Sequence, residues 1–382
     1  LRSPWEKPDR SQIIEATKEC LGITDAMMPV IRERVISETE YDGYSVRRLL
    51  YESWDHFYGT ASLYVPRGGG SRPCVVVCCG HGREGKLTPG YQAMGRRIAR
   101  QGAYALINDN IGQGEREPMG HRDCVAPFYC GTSVQGLIVL ETLAWINRLA
   151  EYPQIDEAKI GACGNSGGGT LTLFLAALCD RLAALNSSGY PSAFWWLAAK
   201  EKRHCHCNII PHALSRIEMW ELYSVFAPRP LFLMHGTLDN LLPVDLFYQN
   251  ARCVLDTYRQ LGAQDELTAE VFPGTHSWDS RRRHALGDFF MRTLGISPAE
   301  ELTDDEIDTI DPASATCVFP DDAISTDELA QRLTGVRAPE GLRLSDVFRP
   351  RLSGELLHAH ELQERIERGE VMQILAQYEA FL

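Results

Sequence analysis

The sequence predicts an α/β fold, a mainly parallel central sheet with helices on both faces. Three observations carry that expectation. Cys74-Val75-Val76-Val77-Cys78-Cys79 is a continuous apolar run, the pattern of a strand buried on both faces. From there to residue 294, strand-like and helix-like stretches alternate. Between one such strand and helix lies Gly164-Asn165-Ser166-Gly167-Gly168, a turn crowded with residues that have little or no side chain.

In chain order, residues 1–30 read as an N-terminal helical segment. Strand-like runs follow at Val35–Glu38, Val46–Tyr51 and Ala61–Val65, bounded by turn residues such as Asp42-Gly43 and Pro66. After Cys74–Cys79 come a helical stretch near 91–101 and a strand at Tyr104–Ile107. Residues 133–150 place Val134, Leu137, Ile138, Trp145 and Leu149 at helical spacing, a stripe interrupted by Glu141. Strands at Ile160–Cys163 and Ala183–Leu185 bracket a helix from about Gly168 to Cys179. Strands at Leu231–His235 and Glu270–Phe272 flank a helix near 244–261, and the last core helix spans 279–294. Two segments break the rhythm. Residues 190–226 are rich in aromatics, Cys and His and sit where a lid would cover the sheet. Residues 297–382 form an acidic extension ending in a helix over 358–381. The expected organisation is one domain over 1–296 plus that extension.

Composition narrows the classes. With 382 residues, 44% of them hydrophobic, the chain can bury a large core, and no run of about 18 apolar residues marks a membrane span. The net charge of −13 is concentrated in 297–382, which hold 19 acidic and 7 basic side chains. An acidic chain without a basic stripe has little to offer nucleic-acid phosphates. The 12 cysteines do not form a small disulfide framework, and Cys74, Cys78, Cys79 and Cys163 lie in apolar runs. Cys124 and Cys130 bracket a loop that would be bridged only in an oxidising compartment. A cytoplasmic location is expected, although a chain beginning at Leu1 leaves a removed leader open. Homo-oligomerisation also stays open.

The turn around Ser166 carries the chemistry. A serine on a sharp strand-to-helix turn has its Oγ lifted clear of the sheet, and the neighbours must be tiny for the turn to close. A hydroxyl is a weak nucleophile, so it needs a base and the base needs an orienting acid. The strand Leu231–His235 runs into Gly236-Thr237-Leu238-Asp239, and the strand ending at Phe272 runs into Pro273-Gly274-Thr275-His276. Asp239 and His276 thus lie just past the ends of successive strands. Asp245 competes for the acid role, whereas His212, His235 and His284 lack a comparable context. The main-chain N–H of Gly167 is the first expected oxyanion donor. Arg83, in the loop Gly80-His81-Gly82-Arg83-Glu84-Gly85-Lys86, is the expected second, also through its main chain.

The nucleophile–acid–base order, with further motifs, resembles the α/β-hydrolase group around acetyl xylan esterase-like and dienelactone hydrolase-like proteins. The motifs are Gly80-His81-Gly82 with Gly85-Lys86, Gly112-Gln113-Gly114-Glu115, Ile160-Gly161, Ala227-Pro228-Arg229-Pro230-Leu231, and Gly236 to Asp239. The resemblance spans residues 60–295 and implies the α/β-hydrolase fold, a Ser-His-Asp triad and cleavage of acyl or acetyl esters, many on carbohydrates. Two features depart from the group: the polar Asn108-Asp109-Asn110 and the acidic extension. The rival readings are a peptidase of prolyl oligopeptidase type, a lactone or C–C bond hydrolase, and a non-catalytic binding protein. No propeller-like repeat precedes residue 60, which weighs against the first.

Trp195, Trp196 and Trp278 are candidates to line a substrate pocket, Trp278 by its adjacency to His276. His204-Cys205-His206-Cys207 invites a zinc reading, but C-x-C spacing suits a single zinc poorly. The expectation is a packed loop, with no metal and no organic cofactor. A small-molecule or carbohydrate ester is the expected partner.

Overall fold

The computed structural model describes residues 9–199, 205–298, 310 and 317–348. Nine strands form one sheet: β1 (Arg32–Tyr41), β2 (Tyr44–Trp54), β3 (Phe57–Pro66), β4 (Arg72–Cys78), β5 (Tyr104–Asn108), β6 (Ile155–Asn165), β7 (Leu182–Ser188), β8 (Leu231–Gly236) and β9 (Leu267–Phe272). Their order is β1-β2-β3-β5-β4-β6-β7-β8-β9. β1, β2 and β3 form antiparallel hairpins, β3 meets β5 antiparallel, and every pair from β5 to β9 is parallel. The hairpin strands are longer than their apolar runs because β1 is largely solvated, and a solvated strand needs no continuous hydrophobic pattern.

The helices of the first half are α1 (Arg10–Leu21), α2 (Pro89–Arg100), the single turn α3 (Ala126–Tyr129), α4 (Val134–Ala150) and α5 (Gly167–Leu178). Those of the second half are α6 (Phe194–Ala199), α7 (Ala213–Arg216), α8 (Met219–Val225), α9 (Val244–Gln260), α10 (Ser280–Leu294), α11 (Thr326–Thr334) and α12 (Leu344–Val347). β4 shows how the sheet is sandwiched. Its even-numbered side chains Cys74, Val76 and Cys78 join a core with α4 and α5, through Trp145 and Phe174. The odd-numbered Val75 and Val77, with Cys79 just past the strand's end, join a second core with α2 and α10, through Ile98 and Phe290. Successive side chains of a strand point to opposite faces, so an unbroken apolar run is what two covered faces require.

Glu141, which interrupts the apolar stripe of α4, has a tertiary reason. It receives a two-pronged ion pair from Arg116, Nη1–Oε2 2.7 Å and Nη2–Oε1 3.0 Å, and also accepts from Ser53 Oγ at 2.7 Å. Both partners are fully buried, so neither charge is left unpaired.

The connection expected as a lid is not all surface. α8 buries Met219, Leu222 and Tyr223 and packs against α5 and α9, and Phe194, Cys207, Ile210 and Ile217 before it are buried too. The described residues 324–330 of the C-terminal segment pack against the rest of the chain. Ile324, Leu329 and Ala330 are buried, Thr326 Oγ1 donates to the Gly120 carbonyl at 2.8 Å, and Asp327 accepts from the Ala126 N–H at 3.1 Å. The helix expected over 358–381 lies outside the described residues.

Candidate active site

β6 ends at Asn165, and Ser166 turns the chain directly into α5 with φ +59° and ψ −118°. A non-glycine residue there is strained, and the surrounding bonds hold it in place. The Ser166 N–H donates to the Ser188 carbonyl at 3.0 Å, while its own carbonyl accepts from the Thr170 N–H at 2.9 Å. The flanking glycines are steric necessities. A Cβ on Gly164 would overlap the Gly168 carbonyl, and one on Gly168 would overlap the Cys78 carbonyl of β4.

Asp239 follows β8 and His276 follows β9, and the fold brings them together: His276 Nδ1 lies 2.7 Å from Asp239 Oδ2. The other carboxylate oxygen accepts from the N–H groups of Leu241 and Leu242 at 2.8 and 3.0 Å. Burial alone would raise the Asp239 carboxyl, but the imidazole and these N–H groups hold it below its ordinary value. His276 Nε2, the nitrogen remote from Asp239, is buried and has no hydrogen-bond partner among the described residues. Asp245, the rival acid, is exposed in the first turn of α9.

Two residues without a sequence signal position this pair. Gly189 adjoins Ser188, to which Ser166 is bonded; a Cβ there would stand 3.1 Å from His276 Cε1 and 2.9 Å from Asn165 Oδ1. Residue 189 therefore sits against both the elbow and the imidazole. Arg282, itself buried, donates to the Thr275 carbonyl at 3.1 Å and to Ser277 Oγ at 2.6 Å, clamping both sides of His276. It sits in the run Arg281-Arg282-Arg283, whose pattern does not distinguish it from a solvated face.

The loop after β4 lies across from the elbow. A Cβ on Gly80 would come 2.7 Å from the Asn165 carbonyl, and one on Gly167 would come 3.3 Å from the His81 main-chain nitrogen. The His81 main chain thus lies beside Gly167, and Arg83, the donor expected from the sequence, is exposed two residues further on. The loop is anchored from beneath. Lys86 Nζ sits 2.5 Å from both Asp109 Oδ2 and Glu115 Oε2 and 2.8 Å from Thr60 Oγ1, all in the interior. Burial would lower the Lys86 ammonium, but the two carboxylates outweigh it and hold the group above its ordinary value. The polar Asn108-Asp109-Asn110 now has a role: Asp109 ties the Gly85-Lys86 loop to Glu115, and Asn110 Nδ2 donates to the Cys79 carbonyl at 2.7 Å.

The tryptophans are placed apart. Trp278 faces Tyr91 with ring centroids 5.6 Å apart, and the Tyr91 hydroxyl accepts from the Gly80 N–H. Trp196 donates to the Leu241 carbonyl at 3.1 Å, beside the acid loop. Trp195 lines a cleft between α1, residues 192–218, α8 and α9, whose described walls include none of Ser166, Asp239 or His276.

The expectation of no metal also meets a structural finding. His81, His121, Cys205 and Cys207 gather with one ligand atom each, all within 4.8 Å of one another. The C-x-C pair supplies only two of these four groups, and the two histidines come from other loops. The two thiols interact closely: hydrogen bonding to Cys207 holds Cys205 below its ordinary value, and Cys207 is raised in turn.

A serine forced into a positive-φ elbow at the end of a central parallel strand marks the α/β-hydrolase class, and this chain has that fold. Residues 35–194 match the acetyl xylan esterase (AXE1) family model, and the chain is a carboxylic ester hydrolase resembling that family. Among curated proteins it is similar to "Putative hydrolase YtaP" of Bacillus subtilis (strain 168), 21% identical over 237 residues, 58% of this chain and 79% of that protein. Among solved structures it is similar to methylesterase BT1017, with TM-score 0.68 and 22% identity, covering 85% of this chain and 73% of that one. A glucuronoyl esterase from Solibacter usitatus superposes with TM-score 0.59 and 13% identity, covering 76% of this chain and 93% of that one. No helix among the described residues is long and apolar enough to cross a membrane.

Proposed function

We propose that the chain cleaves small acyl esters, acetyl esters of carbohydrates above all, through an acyl-enzyme on Ser166. His276, oriented by Asp239, takes the hydroxyl proton as Oγ attacks the ester carbonyl. The oxyanion is held by the main-chain N–H of Gly167 and one from the loop Gly80–Arg83. Arg83 is the donor expected from the sequence, and His81 is the one that lies nearer. The protonated imidazole then returns its proton to the leaving alcohol, and water clears the acyl group.

The observation that supports this reading best is the orientation of His276. Nδ1 is committed to a carboxylate that is itself pinned by two N–H groups, which leaves Nε2 as the basic nitrogen on the side of the ring away from Asp239. The carbohydrate side of the substrate rests on the names of the similar proteins: acetyl xylan esterase, and by fold a glucuronoyl esterase.

The test is a substrate profile with wild-type protein and Ser166→Ala. Wild type should release acetate from acetylated xylo-oligosaccharides, and Ser166→Ala should lose roughly four to six orders of magnitude of ester turnover with its fold intact. A fluorophosphonate probe should label the first protein and not the second. Undiminished turnover in Ser166→Ala would end the mechanism. Preference for peptide amides or lactones over acetyl esters would move the substrate assignment. A methyl uronate ester tests the other arrangement, in which the sugar carries the acid.

A further inference from the structure

We infer that His81, His121, Cys205 and Cys207 form a binding site for one zinc ion, which fastens the lid to the loop facing the catalytic elbow. The four residues come from three separate segments: the loop after β4, the loop preceding α3, and the lid. His81 Nε2 lies 3.2 Å from His121 Nε2 and 3.2 Å from Cys207 Sγ. With bonds of about 2.0–2.3 Å, the corners of a tetrahedral zinc site stand roughly 3.3–3.8 Å apart, so four ligand atoms within 4.8 Å need little adjustment.

The surroundings orient the ligands. His121 Nδ1 lies 2.7 Å from the Ile111 carbonyl, which can only accept, so Nδ1 carries the proton and Nε2 presents its lone pair to the cluster. A 3-10 turn at His206–Asn208 follows Cys205, and the Asn208 N–H donates back to the Cys205 carbonyl at 2.9 Å. This places the two sulfurs of the C-x-C pair on one side. The Asn208 side-chain amide donates to Cys207 Sγ at 3.6 Å, a contact that stabilises a thiolate. His206, between the two cysteines, is turned away and pairs through Nδ1 with the Cys124 carbonyl at 2.9 Å.

The donor set decides the ion and its role. Two imidazoles and two thiolates in a tetrahedral arrangement favour zinc over hard cations, which take oxygen ligands. All four positions are filled by protein, as in structural sites, whereas a catalytic zinc keeps one position open for water. What the ion would stabilise is the placement of His81: a Cβ on Gly167 would meet His81 Nδ1 at 2.7 Å. The ion would therefore hold the lid, through Cys205 and Cys207, against the loop that lies over the elbow. Only this last consequence rests on the proposed triad; the site itself does not.

The test is metal content by mass spectrometry, on full-length protein purified without a histidine tag and dialysed against chelator. About one zinc per chain is expected for wild type and equally for Ser166→Ala, while Cys205→Ser with His121→Ala should retain less than about a tenth of that. Ser166→Ala separates the two proposals, since its loss of turnover says nothing against the site and its zinc content says nothing for the triad. Should the double variant fail to fold, wild type alone still decides. Titrating its thiols with an organomercurial should release about one zinc into a chromogenic chelator as the lid cysteines react. Cobalt substitution should give a sulfur-to-cobalt charge-transfer band, lost in Cys207→Ser. Protein that is metal-free and takes up neither zinc nor cobalt would overturn the inference, as would full zinc retention in a folded double variant or copper or iron in zinc's place.

Discussion

At the scale of single residues, the site is defined as much by a missing side chain as by those present. Gly189 has φ +59°, and its hypothetical Cβ would press on the imidazole at 3.1 Å. Gly189→Ala should therefore fold with modest loss of stability but displace His276, lowering kcat/KM for a simple acetyl ester by roughly 10- to 100-fold. A variant with wild-type kinetics would show that the ring has room to spare. Asp239→Asn removes the acceptor that sets the imidazole tautomer, and turnover should fall by roughly three to four orders of magnitude with the thermal midpoint little changed. The strained turn at Ser166 and the placing of Asp239 and His276 after successive strands were legible because chain-local pattern marks where strands end. Gly189 and Arg282 were not, because what distinguishes them is a neighbour about 90 residues away for the first and an arginine run for the second.

At the scale of elements, the loops around the site are held by buried charge. Asp109 leaves the end of β5 and binds Lys86 from the loop after β4, and Glu115 from the next loop closes the set. Asp109→Asn leaves the ammonium short of a carboxylate in the interior and should cost about 3–5 kcal/mol in equilibrium urea unfolding. The same network predicts the acid response. Burial would raise the Glu115 carboxyl, but Lys86 outweighs it and holds the folded value below 4.5. A carboxyl with a depressed folded value contributes stability that is present above the unfolded value and lost as pH falls through the folded one. The thermal midpoint should thus decline as pH drops below about 4.5, and Lys86→Met should flatten that decline. An equally steep fall in the variant would assign acid sensitivity elsewhere. The polarity of Asn108-Asp109-Asn110 was visible in the sequence as a departure, yet its reason required both loops to be in place.

At the scale of the whole molecule, the two cores on either face of the sheet account for the strand–helix alternation, and Ile324 and α11 add to one of them. Leu329 of α11 is buried in the same cluster as Trp145 and Phe174. Leu329→Ala should then destabilise the protein by about 2–4 kcal/mol, shifting one cooperative melt. A separate early transition that leaves the main one in place would instead make residues 317–335 an independent appendage. The acidic composition of 297–382 concealed this docking, because Ile324, Leu329 and Ala330 are few among many charges and helical spacing alone does not say what covers them.

Side-chain period and turn sterics within a few residues made the α/β alternation and the strained strand-to-helix turn at Ser166 readable from the chain. Only packing reveals that His81 lies beside Gly167, what neutralises Lys86 and Glu141, and that His81 and His121 meet Cys205 and Cys207. Each of those joins groups from separate segments, and packing rather than local preference sets the distance between them.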